Sequence, residues 1–205
     1  MAYDDAFFEA YRRYLDEPIV RDQHDHVFQT FRRFVGDAPR VVDIGCGAGE
    51  FFHDGSWWSY VGIDKTPRIV KQPCVGVEPR TISADYRDVD SWASKIDDKP
   101  EAFVSLFSIE PTLNVPRRYA LYEELFDKIP SLKWGLSAGF YYSDRIDAEW
   151  VEEVGGIVSY QTVEPRSKRL VVKGVSEERL VLRVPSKLFG PDVVEVWKFF
   201  QREAV

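Results

Sequence analysis

The sequence predicts an α/β fold: a doubly wound, mostly parallel sheet in three layers, with helices ahead of it and antiparallel strands behind it. Three observations carry that expectation. Between residues 40 and 138, short runs rich in β-branched and aromatic residues alternate with stretches of helical periodicity. The first run, VVDI, closes on alternate glycines, Gly45, Gly47 and Gly49, a pattern suited to a turn on which a ligand can lie directly against backbone. Beyond Gly155 the β-like runs follow one another too closely for helices to intervene.

Two amphipathic helices are expected first. Asp4 or Asp5 caps one, with Phe7, Phe8, Tyr11 and Leu15 on its apolar face, and Val20, Val27, Phe28, Phe31 and Val35 make the stripe of the next, which Gly36 ends. Strands are expected at 40–44 (RVVDI), 59–63 (SYVGI), 80–84 (RTISA), 102–107 (AFVSLF) and 132–138 (LKWGLSA), several of them apolar along most of their length, as in a parallel sheet covered on both faces. The clearest intervening helix runs from Arg117 to Lys128, with Tyr119, Tyr122, Leu125 and Phe126 on one face. In the tail, IVSYQTV, KRLVVKG and ERLVLRV read as antiparallel strands, whereas DVVEVWKFFQREA reads equally as a strand or a short helix. With no repeat, low-complexity tract or linker, the 205 residues are expected to form one domain. Its parts would be a helical cover (1–38), a ligand-binding core (39–140) and a C-terminal helix with antiparallel strands (141–205).

Composition limits the function. With 44% apolar and 30% charged residues the chain has the make-up of a soluble globular protein, and no apolar stretch approaches the roughly 18 residues of a membrane span. The start, MAYDDAFFEA, has no basic flank or cleavage pattern, so a cytoplasmic location and no membrane partner are expected. Cys46 and Cys74 make neither a disulfide framework nor a metal set, and the three histidines have no convincing ligand spacing, so no metal is expected. A net charge of −7 argues against nucleic acid and for a small partner. Residues 166–187 run the other way, with seven basic side chains against Glu177 and Glu178. They read as a solvated hairpin guarding a sheet edge, or as a contact for an anionic substrate or partner. An exposed edge strand in the tail would offer a route to a homodimer.

The chemistry centres on the glycine turn. A dinucleotide fingerprint needs G-x-G-x-x-G/A so that pyrophosphate can sit on a helix N-terminus. Here the pattern is G-x-G-x-G, with Glu50 at the position of the third small residue. Glu50 would repel a pyrophosphate, and Asp43 adds a second acid two residues before Gly45. Together they favour a ligand carrying positive charge and no phosphate, a description that S-adenosylmethionine fits.

The segment Asp43-Ile-Gly45-Cys46-Gly47-Ala48-Gly49 resembles the first motif, D-x-G-x-G-x-G, of the class I (Rossmann-like) S-adenosylmethionine-dependent methyltransferases. In YVGIDKT, Asp64 stands 19 residues beyond Gly45, where the resemblance implies a contact to ribose, with Lys65 beside it. In ISADYRDV it implies Asp85 at the adenine amino group and Tyr86 against the ring. EAFVSLFSIEPTLN is similar to the family's strand-four segment, which implies that Leu106 and Phe107 border the cofactor. Glu101 takes the place of an acid that members often carry just before that strand. The resemblance covers roughly residues 40 to 140. It implies S-adenosyl-L-methionine as methyl donor, S-adenosyl-L-homocysteine as product, and cofactor contacts from Cys46 and the three glycines as well.

The acceptor side is less marked. Methyl transfer is an in-line displacement, and a base is needed only where the acceptor must lose a proton. Glu110, just past the fourth strand, is the first catalytic candidate, or else an exposed carboxylate in a turn before Pro111. His24 and His26 on the second helix are candidate bases or plain surface residues. Trp57, Trp58 and Tyr60 form one aromatic cluster, and Phe140, Tyr141 and Tyr142 another at the ligand edge, where Tyr141 and Tyr142 would wall an acceptor pocket or serve the core. The N-P-P-[YFW] motif of some nucleic-acid and glutamine methyltransferases is absent; SIEPTLN stands in its place. The expectation is methyl transfer to a small molecule, or less readily to a protein side chain. The alternatives are a methyltransferase-like domain that serves as a binding or scaffold module, and a nicotinamide-dependent oxidoreductase, with which Glu50 conflicts.

Overall fold

A computed structural model describes residues 11, 13–36, 39–47, 49, 59–67, 78–142, 149–154, 157–161, 172–183 and 193–203. The expectations for Asp4, Asp5, Phe7, Phe8, Ala48, Glu50, Trp57, Trp58 and Cys74, and for residues 166–171 and 184–187 of the basic stretch, lie outside the described residues, as does the side chain of Tyr142.

Helix α1 (Pro18–Val35) starts with proline in its first turn and ends where Gly36, at φ 85°, turns its N–H back to the Arg32 carbonyl. Five parallel strands follow: β1 (Arg40–Ile44), β2 (Ser59–Asp64), β3 (Arg80–Ser83), β4 (Ala102–Leu106) and β5 (Trp134–Tyr142). Between them stand α2 (Val89–Ala93), the single turn α3 (Ile109–Thr112) and α4 (Val115–Lys128). Asn114 caps α4 by accepting from the Arg117 N–H, and Tyr119, Tyr122, Leu125 and Phe126 are buried on the face that the spacing predicts.

The tail adds β6 (Glu149–Val154), β7 (Ile157–Gln161), β8 (Val175–Arg183) and β9 (Val193–Arg202). All nine strands form one sheet in the order β3-β2-β1-β4-β5-β9-β8-β7-β6, antiparallel from β5 onward. The segment DVVEVWKFFQREA is thus resolved as a strand. Its burial pattern, continuous from Val193 to Lys198, is that of a central strand covered on both faces. Among the described residues no helix follows α4, and EWVEEV at 149–154 forms the strand β6. Of KRLVVKG, the described residues 172–174 precede β8 and lie outside any strand.

Two apolar clusters cover the sheet. On one face α1 packs its Val20, Val27, Phe28 and Phe31 with Val41, Tyr60, Val104, Leu136, Ala138 and Trp197. On the other, α2 and α4 pack Trp92, Tyr122, Leu125 and Phe126 with Val42, Ile44, Ile63, Phe103 and Phe200. This three-layer arrangement leaves the carboxyl ends of the parallel strands as a free edge, with strand order reversing between β1 and β4.

Candidate active site

At that reversal β1 runs into the glycine turn. Gly45, Gly47 and Gly49 all have positive φ, at 72°, 51° and 85°. The N–H groups of Gly45 and Cys46 both donate to the Ile63 carbonyl, which ties the turn to β2. Gly45 has a second constraint: a Cβ there would sit 2.6 Å from Oγ of Ser108 and closer still to its Cβ. Ser108 is itself fixed, donating to the Ile44 carbonyl at 2.6 Å and lying 2.6 Å from the hydroxyl of Ser105. The end of β4 is thereby clasped to the end of β1.

The described acids around the turn, Asp43, Asp64 and Asp85, are engaged. Asp43 is buried and accepts from the Tyr60 hydroxyl. Asp64 accepts from the Gly47 N–H at 3.2 Å and from the Thr66 N–H at 2.9 Å, so it braces the turn from below. Asp85 takes a bidentate pair from Arg87 at 2.8 and 2.5 Å, with Lys65 at 3.2 Å, and Arg87 holds its carboxyl well below the usual range. Tyr86 packs beside Gly45 and reaches the Thr112 hydroxyl, and the Trp92 indole donates to its carbonyl. The sequence-predicted residues from Asp43 to Tyr86 therefore converge on one edge. Arg87, whose guanidinium occupies Asp85, was not among them.

Leu106 ends β4, and Phe107 leaves it with φ 53°, the one non-glycine residue among those described with positive φ. Phe107 stacks on Phe140 at a centroid distance of 4.5 Å and meets Tyr11, His24 and Trp197 at 5.4, 6.4 and 5.9 Å. These rings form an aromatic roof beneath α1. His24 belongs to it and is buried, not a surface residue, whereas His26 is exposed.

Glu110 departs most from expectation. Rather than an exposed turn carboxylate, it is 1% exposed, seated against Gly139, where a Cβ would overlap its own Cβ. Lys198 reaches both its oxygens, at 2.9 and 3.0 Å, Arg118 one at 2.8 Å, and the Tyr122 and Tyr141 hydroxyls donate to it. Burial pushes its pKa up, but the Lys198 and Arg118 charges outweigh that and hold it at about 2. A carboxylate so saturated with donors is a poor proton acceptor near neutrality. Tyr141, the predicted acceptor-wall residue, spends its hydroxyl on the same cluster.

Glu195 on β9 is a further buried carboxylate, beside Asp43 and Glu110, and the sequence gives no sign of it. It accepts from the Tyr14 hydroxyl at 2.5 Å and the Trp197 indole at 2.8 Å, and its oxygens lie 3.0 and 3.2 Å from Nε2 of His24. Burial, with Glu195 alongside, pushes the Tyr14 hydroxyl far above its ordinary pKa. Apart from Trp197, two positions on, its partners His24 and Tyr14 are 171 and 181 residues away, beyond the reach of any local signal.

The fold is that of the class I methyltransferases. Among solved structures, the chain is similar to magnesium protoporphyrin IX methyltransferase (ChlM) from Synechocystis PCC 6803 with bound SAM, at TM-score 0.55 and 12% identity over 98% of this chain and 93% of that one. It is similar to the N-methyltransferase NodS from Bradyrhizobium japonicum with S-adenosyl-L-homocysteine, at 0.58 and 12% over 98% and 100%. It is also similar to 1,6-didemethyltoxoflavin-N1-methyltransferase from Burkholderia thailandensis, at 0.53 and 12% over 97% and 84%. No family model and no curated protein matches the sequence. No helix among the described residues is long and apolar enough to cross a membrane, and no group of three or more His, Cys, Asp and Glu among them could hold a metal ion.

Proposed function

We propose that the protein is an S-adenosylmethionine-dependent methyltransferase acting on a small molecule. The observation that carries this reading is the turn Gly45–Gly49, with three positive-φ glycines at the reversal of strand order and Asp43, Asp64 and Asp85 around it. Bare backbone offers an amino acid moiety close approach, and the acids suit an ammonium, a sulfonium and ribose hydroxyls better than a diphosphate. When bound, the cofactor supplies an activated methyl at its sulfonium.

The residues present fit that group. The Gly47 N–H already holds Asp64 at the height of the turn, so the carboxylate needs no large movement to meet a ribose. Asp85, with Tyr86 next in the chain, would meet the adenine end, and Arg87 and Lys65 keep it ionised. The buried rings of the aromatic roof leave little room for water above β4 and β5, and two neighbours whose names carry a small-molecule acceptor, magnesium protoporphyrin IX and 1,6-didemethyltoxoflavin, support the same acceptor class. The chain's −7 charge supports a small acceptor over a nucleic acid.

Calorimetric titration with S-adenosylmethionine and S-adenosylhomocysteine, with NADH as control, tests the reading. Micromolar binding of both sulfur ligands without NADH binding is expected. Silence from both would leave a binding or scaffold module, and NADH binding would assign the glycines to a dinucleotide.

A further inference from the structure

We propose that His24 and Glu195 form a proton-accepting dyad over the methyl-transfer site, which makes the acceptor a molecule that must lose a proton from a hydroxyl or comparable heteroatom. The inference rests on the methyltransferase reading and extends it to the acceptor's chemical class.

The geometry comes from both ends of the chain. Glu195 is wholly buried on β9, paired with Phe140 of β5, and on the sheet face that carries α1. Tyr14 and Trp197 each donate to it, as expected of an ionised carboxylate, and Nε2 of His24 completes the set. A carboxylate facing Nε2 selects the tautomer with hydrogen on that nitrogen, which leaves the lone pair on Nδ1. Nδ1 makes no hydrogen bond among the described residues, and the His24 side chain keeps 10% of its surface open while Glu195 keeps none.

Position agrees with this chemistry. His24 lies nearly parallel to Phe107, at an interplanar angle of 25° and 6.4 Å, and Phe107 is the positive-φ residue that leaves β4 beside the glycine turn. Among the described residues, the titratable groups that face the imidazole are Glu195 on β9 and Tyr14 ahead of α1; Phe28, Phe107 and Trp197 supply apolar walls. Tyr14 cannot replace His24 as base, because burial beside Glu195 keeps its hydroxyl protonated. Glu110 is saturated by its own donors. Among the described residues that leaves the imidazole as the buried proton acceptor on the roof.

In the step, a lone pair on the acceptor heteroatom forms the bond to the methyl carbon. The carbon–sulfur bond breaks with its electrons passing to sulfur, and the acceptor's proton moves to Nδ1 of His24. The imidazolium faces Glu195 and later returns the proton to water. Glu195 is a positioning residue, setting tautomer and ring orientation and balancing the charge.

Nitrogen NMR of the full chain with labelled histidine tests the dyad, with His24→Gln to assign the signal. The expected result is an Nε2–H tautomer with an unprotonated Nδ1 in the neutral ring, and a shift of the Nδ1 signal on adding S-adenosylhomocysteine. Glu195→Gln should scramble the tautomer, and Glu195→Asp should partly restore it. A protonated Nδ1 in the neutral ring, or an Nδ1 signal blind to bound S-adenosylhomocysteine, would overturn the proposal and leave the pair as a pin holding α1 to β9. Failure of S-adenosylhomocysteine to bind, measured on the same sample by calorimetry, would instead overturn the methyltransferase reading beneath it.

Discussion

Replacing Glu110 by Gln keeps its shape and removes its charge, leaving Lys198 and Arg118 facing a neutral amide in a site where the lysine side chain is 5% exposed. Removing one partner of a buried ion pair costs about 3–5 kcal/mol. The titration of the carboxylate gives a comparable figure. A folded pKa of about 2 against an ordinary 4.5 corresponds to about 3 kcal/mol of stabilisation by the ionised form. Because the folded pKa is depressed, that stability is present above about pH 4.5 and is lost as pH falls toward about 2. For a chain of this length, about 2–4 °C of melting temperature per kcal/mol predicts a drop of roughly 6–20 °C at pH 7. Thermal unfolding of wild type and Glu110→Gln between pH 7 and pH 2 is the assay, and the two curves should converge in acid. A variant as stable as wild type at neutral pH, or a deficit that persists undiminished at pH 2, would refute the reasoning.

Three further outcomes are expected. Gly45→Ala places a Cβ against Ser108 at φ 72° and should cost about 2 kcal/mol or more, read as a lowered denaturation midpoint; an unchanged midpoint would show that the β1–β4 clasp yields freely. Gly47→Val should fold but lose S-adenosylmethionine binding by calorimetry, and retained affinity would dismiss the turn as the cofactor seat. Asp85→Asn releases Arg87 and Lys65 at a partly exposed position, so stability should change by less than about 1 kcal/mol while cofactor affinity falls about tenfold; unaltered affinity would move the adenine end elsewhere.

Much of the proposed cofactor half of the site was legible because its signals are local. A strand ending in an acid and alternate glycines spans a few residues, and Gly45, Gly47 and Gly49 do adopt the conformations that glycine alone takes readily. Asp64 closes β2, whose apolar run marks its own end, and Asp85 stands two residues beyond β3. The acceptor half was not legible in this way. The catalytic role considered for Glu110 met a buried cage whose Lys198 lies 88 positions away, and Glu195 drew no attention as one acid within a run that read equally as helix or strand.

Sequence alone determined the order of β1 to β5, the helices α1 and α4, and the turn that joins β1 to its ligand edge, since periodicity, caps and glycine backbone freedom act within a dozen residues. Tertiary structure decided that β9 enters between β5 and β8. That single placement delivers Lys198 to Glu110 on one face of the sheet and Glu195 to His24 on the other, because successive residues of a strand point to opposite sides. Pairing between strands so far apart depends on backbone hydrogen bonds and on the burial of Trp197 and Phe200, which exist only once the sheet has closed around them.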